Sequence, residues 1–148
     1  MYTFDSMVRS LHRKGEVNSN MNKKETIVLV DDDPTVRELS ILVLERKGYD
    51  VLYFSTGADA LATIIAACPD LIITDFHMPG MTGGELLHAV HKGLNGNTPP
   101  AIIVSALPHE AQATLNELPH IVREIVSKPF DPNDFTAAVQ RALLLPAQ

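Results

Sequence analysis

Three carboxylates in a row, Asp31-Asp32-Asp33, follow an apolar run and precede a proline in "TIVLVDDDPTVREL". Like charges at this spacing push one another's pKa up unless a cation holds them. Three further groups able to do chemistry close similar runs: Asp75 in "DLIITD", Ser105 in "AIIVSA" and Lys128 after "REIVS". Hard oxygen ligands in small number suit Mg²⁺, which keeps several waters and takes further ligands from a phosphate. Asp31, Asp32 and Asp75 fit that description. A hydroxyl at Ser105 can donate to a phosphoryl oxygen, and the ammonium of Lys128 offers it a compact positive charge. The set suits a phosphoryl group. Asp33, directly before Pro34, reads instead as a helix cap.

For these residues to meet, the chain must bring the ends of its apolar runs to one rim. Candidate strands lie at 26–31, 50–55, 70–75, 101–106 and 123–127, apolar nearly throughout, as strands covered on both faces are. Candidate helices alternate with them at about 34–47, 57–67, 83–92, 109–118 and 132–145. Five strand-then-helix repeats imply an α/β, doubly wound parallel sheet with right-handed crossovers. Ligands of such sheets gather beyond the carboxyl ends of the strands, where strand order reverses. Helix punctuation supports the boundaries. Asp33-Pro34 and Asp131-Pro132 are cap-proline pairs, Thr82-x-x-Glu85 is a capping box, Gly48 follows the first helix and Pro119 stops the fourth.

The 148 residues, 45% of them apolar, suffice for one domain with a sizeable core and leave no room for a second, output domain. No apolar run approaches the roughly 20 residues that span a bilayer, and charges interrupt any signal-like core near the N-terminus, so a cytoplasmic, soluble protein is expected. Residues 1–24 read as an extension to a body at 25–148. Phe4, Met7, Val8 and Leu11 recur at helical spacing and predict either a short helix followed by a linker or an extension without fixed structure. That extension carries Arg9, Arg13, Lys14, Lys23 and Lys24 against Asp5 and Glu16, a net +3, so a total of −6 leaves −9 on the body. An acidic body argues against nucleic acid as a partner, although the charge also serves solubility. Cys68, the single cysteine, excludes an internal disulfide and reads as a buried or helix-end thiol. His88 and His91, three apart on a helix, lack a third ligand and read as a solvated pair rather than a metal site.

Taken together, "IVLVDDDPTVRE", "DLIITDFHMPGMTGGELL", "IIVSA" and "SKPF" resemble the receiver domain of two-component response regulators, from about residue 25 to the C-terminus. The resemblance implies a flavodoxin-like fold with strand order 2-1-3-4-5. It also implies that Asp75 is the phosphoacceptor, that Asp31, Asp32, Asp75 and the backbone carbonyl of His77 hold Mg²⁺, and that Ser105 is the switch hydroxyl. Lys128 matches the family's lysine, with a cis Lys128-Pro129 bond. The donor would be a sensor histidine kinase or a histidine phosphotransfer protein. A downstream protein would read the face made by the fourth helix, fifth strand and fifth helix. The chain would then be a stand-alone signalling phosphoacceptor, not an enzyme acting on other substrates.

Two departures keep alternatives open. Ile125 stands where the family often has an aromatic, and the segment between Ser105 and Lys128 lacks the usual Gly-Ala turn and contains Pro108 and Pro119. A receiver that binds partners without phosphorylation is one alternative. The other is a haloacid-dehalogenase-like phosphatase, because Asp31-x-Asp33-x-Thr35 fits its motif with Asp31 as nucleophile and Asp33 as acid/base. That second reading leaves Asp75 and "MPGMTGG" without a role.

Overall fold

A computed structural model describes residues 23–144. Five strands alternate with five helices: β1 (Thr26–Val30), α1 (Pro34–Arg46), β2 (Asp50–Phe54), α2 (Gly57–Ala67), β3 (Leu71–Asp75), α3 (Gly83–Gly93), β4 (Ala101–Ser105), α4 (Pro108–Glu117), β5 (Val122–Ser127) and α5 (Pro132–Leu144). The helix expected near residues 4–11 lies outside the described residues. All strand pairs are parallel, in the order β2-β1-β3-β4-β5. The doubly wound, flavodoxin-like sheet implied by the sequence is the one found, and its order reverses between β1 and β3.

Alternation along each strand divides the core into two layers. Ile27, Leu29, Ile73 and Val104 face one side, against Leu44 of α1 and Phe135 and Val139 of α5. Val28, Val30, Ile72 and Ile103 face the other, against Ile64 of α2, Leu86 and Val90 of α3, and Ala111 of α4. Each fully buried side chain of this size stabilises the fold by roughly 1.5–3 kcal/mol. The core fixes the rim because a slip of one residue would exchange the two faces of a strand.

Burial corrects one expectation. β1, β3 and β4 are buried at every residue, whereas β2 and β5 are only partly so. Both are edge strands, a position that apolar composition does not encode.

Local signals account for the helix starts. Asp33 accepts hydrogen bonds from the backbone of Thr35 and Val36, and Asp131 from that of Asn133 and Asp134. Thr82 and Glu85 complete a reciprocal capping box at α3. Gly48 adopts φ +94° after α1, and α4 ends at Glu117, ahead of Pro119. Cys68 ends α2 in a left-handed conformation and is exposed, so the helix-end expectation holds and the buried one does not. No helix among the described residues is long and apolar enough to cross a membrane.

Candidate functional site

Strand register brings the charged residues level. Val30 lies beside Thr74, so the next residues, Asp31 and Asp75, stand side by side at the switch point between β1 and β3. Asp75 pairs with Val104, one residue before Ser105, and Ser105 pairs with Ser127, one before Lys128. Each step across the sheet therefore advances the rim by no more than one residue.

Asp31, Asp32 and Asp75 each bring one carboxylate oxygen to within 4.8 Å of the others. Lys128 Nζ sits 3.1 Å from Asp31 Oδ2 and 3.2 Å from Asp75 Oδ2. Asp31 and Asp75 are buried, while Asp32 is exposed. Asp31 is held from both ends: its Oδ1 accepts from the Asp33 backbone at 2.9 Å, and its carbonyl accepts from Arg37 Nη1 at 2.8 Å. Ser105 is fully buried and its Oγ accepts from the Leu107 backbone at 3.0 Å, leaving the hydroxyl proton to donate elsewhere. The Lys128-Pro129 bond is cis.

Burial, and then the neighbouring Asp31 charge, raise the Asp75 carboxyl from 3.8 to about 6 against the opposing pull of Lys128. For Lys128, burial alone would lower the ammonium, but Asp31 and Asp75 outweigh it and hold the group above its ordinary value. Three carboxylates facing one ammonium leave a net charge of −2, which one divalent cation would neutralise. The donor set thus fits Mg²⁺, since it offers oxygen ligands only and one of them, Asp32, is exposed.

The backbone behind Asp75 is tightly seated. Gly83 N donates to the Phe76 carbonyl at 2.8 Å, and a β-carbon at Gly83 would overlap the Asp75 carbonyl oxygen. At Gly84 a β-carbon would press on Thr114 of α4. Two glycines opening a helix are poor helix formers. That mismatch with the capping box beside them was the available sign of close approach, and sequence reasoning did not use it. It also missed Arg37 and Glu110.

Other sequence expectations are distributed differently. Asp33 is occupied in capping α1 and stands outside the acidic group. His77 is exposed, lies edge-on to Phe76 and pairs through Nε2 with Glu110 Oε2 of α4. His88 and His91 do not act as a pair: His88 meets Glu117 at 3.0 Å and His91 meets Thr98 at 3.1 Å. Ile125 is half-buried against the layer formed by α2, α3 and α4. Beside Lys128, an apolar cavity of about 300 Å³ opens between Val36 and Leu39 of α1 and Pro129 and Phe130.

A doubly wound parallel sheet that gathers an acidic cluster, a lysine and a hydroxyl on its carboxyl rim, at the switch point in strand order, has the layout of an α/β ligand-binding domain. The chain belongs to the response regulator receiver domain family, which it matches over residues 27–140. It is 30% identical over 119 residues to the phosphate regulon transcriptional regulatory protein PhoB of Pseudomonas aeruginosa, covering 80% of this chain and 52% of that protein. It thus spans about half the length of PhoB, as it does of the DNA-binding response regulator MtrA of Mycolicibacterium smegmatis. Among solved structures, a putative response regulator from Chloroflexus aurantiacus superposes with a TM-score of 0.75 at 31% identity, covering 83% of this chain and all of that one. TrrA of Thermotoga maritima, solved in complex with Mg²⁺-BeF, gives 0.70 at 28% identity, covering 80% and 99%.

Proposed function

We infer that this receiver domain accepts a phosphoryl group on Asp75 and signals by the resulting change in partner binding or by passing the group onward. The observation that carries the reading is the placement of the Asp75 carboxylate: buried, 3.2 Å from Lys128 Nζ, beside Asp31 and Asp32, and next in the sheet to the strand that ends in Ser105. An Asp75 oxygen attacks the phosphorus of a phosphohistidine. The phosphorus–nitrogen bond breaks, the imidazole leaves with the electron pair, and an acyl phosphate remains on Asp75. Lys128 neutralises charge on the transferring oxygens, and the Ser105 hydroxyl donates to one of them.

Asp31, Asp32, Asp75 and the His77 carbonyl would hold Mg²⁺, a choice supported by the acidic donor set and by the Mg²⁺-BeF complex of TrrA. When bound, the ion supplies charge neutralisation and orientation for the phosphoryl oxygens. The donor is a histidine kinase or histidine phosphotransfer protein. The output is a protein bound on the face of α4, β5 and α5.

Incubation with acetyl phosphate and Mg²⁺, followed by intact mass and peptide mapping, tests this reading. A labile phosphoryl adduct on the Asp75 peptide, absent from Asp75→Asn, is expected. An adduct on Asp31 would instead support the phosphatase reading, and none at all the phosphorylation-independent module.

A further inference from the structure

Helix α4 begins without a side-chain cap: Leu107 stands at its N-cap position, and no side chain accepts from the first turn. The start of the helix is tied instead to the rim. Leu107 N donates to the buried Ser105 Oγ at 3.0 Å, and Glu110, in the first turn, pairs through Oε2 with His77 Nε2. His77 lies two residues beyond Asp75, on the segment after β3, whereas Glu110 belongs to the element after β4. The pair therefore bridges the ends of two adjacent strands, across the position of Asp75 and Ser105. Ile125 on β5 carries no ring that could swing in response to Ser105.

We propose that His77 and Glu110 couple the state of Asp75 to the first turn of α4, with Glu110 as a positioning residue for the signal. This rests on the reading of Asp75 given above. A phosphoryl group there draws the Ser105 hydroxyl, which slackens its bond to Leu107 N, and shifts the segment that carries His77. The His77–Glu110 contact transmits that shift to a helix start with no cap of its own. Coupling between two sites is reciprocal, so the pair also biases the site toward one arrangement.

Amide hydrogen exchange on the full chain, with and without loading by acetyl phosphate and Mg²⁺, tests the coupling. Both wild type and Glu110→Gln should take the adduct on Asp75, as read by intact mass, with matching urea midpoints before loading. In wild type, loading should change exchange at residues 107 and 109–112 by about two- to fivefold, the range a single exposed side-chain contact can supply. In Glu110→Gln and in His77→Gln that change should fall by more than half, and the double variant should lose no more than either single one. An undiminished change in Glu110→Gln, or single effects that simply add, overturns the coupling alone. Failure of wild type to load Asp75 overturns the reading beneath it.

Discussion

Asp75→Asn should stabilise the fold while abolishing its chemistry, and the size of the gain follows from the burial of the carboxylate. In the folded state the group titrates at about 6 instead of 3.8, chiefly because burial and then Asp31 disfavour its charge. Between those two values the folded chain keeps a proton that the unfolded chain has lost. Stability therefore falls as pH rises through that window, and the full penalty stands above it. The displacement corresponds to a cost of about 3 kcal/mol at pH 7, of which about half remains at pH 5. Asparagine has nearly the shape of the neutral carboxyl and no charge to bury. Without divalent cations, the variant should unfold about 2–3 kcal/mol later than wild type at pH 7, and about 1–2 kcal/mol later at pH 5. Urea unfolding followed by far-UV circular dichroism in EDTA measures both gaps. Adding Mg²⁺ should narrow the gap at pH 7, because an ion that binds the folded acidic cluster of wild type stabilises it by mass action. A variant no more stable than wild type at pH 7, or a gap of equal size at both pH values, would refute the electrostatic account of the site.

Two other substitutions probe the same architecture. Lys128→Met keeps the aliphatic stem but leaves Asp31 and Asp75 facing each other without an ammonium. It should cost about 2–4 kcal/mol in urea unfolding, and much of that loss should be recovered in combination with Asp75→Asn, a pattern a double-mutant cycle reads directly. Gly83→Ala forces a β-carbon against the Asp75 carbonyl, where backbone rather than a flexible side chain must yield. A loss of about 1–3 kcal/mol together with slowed acetyl phosphate labelling is expected, whereas labelling at the wild-type rate would show that the acceptor backbone does not depend on that contact.

How far the sequence alone leads depends on which geometric quantity a residue's role requires. Asp31, Asp75, Ser105 and Lys128 need only lie at the carboxyl ends of parallel strands. Once alternating strands and helices imply that arrangement, all such ends share one rim, and register then shifts them by a single residue at most. The caps at Asp33, Thr82 and Asp131 were legible for a similar reason, since each depends on residues no more than three apart. Partners set by the rotation of a helix about its axis were not. Arg37 reaches the Asp31 carbonyl, and Glu110 reaches His77, only because α1 and α4 present those positions toward the rim, and spacing along the chain carries no trace of it. Edge and centre were likewise confused for β5, because Ile125 and Val126 satisfy an apolar pattern whether one neighbour or two lies beside them. The division bears on mechanism. The layout of the rim depends only on four strand-end residues and the register between their strands. The connection from that rim to α4 depends on helix rotation and on particular pairs such as His77 and Glu110, so it is there that this chain can differ from relatives with the same site.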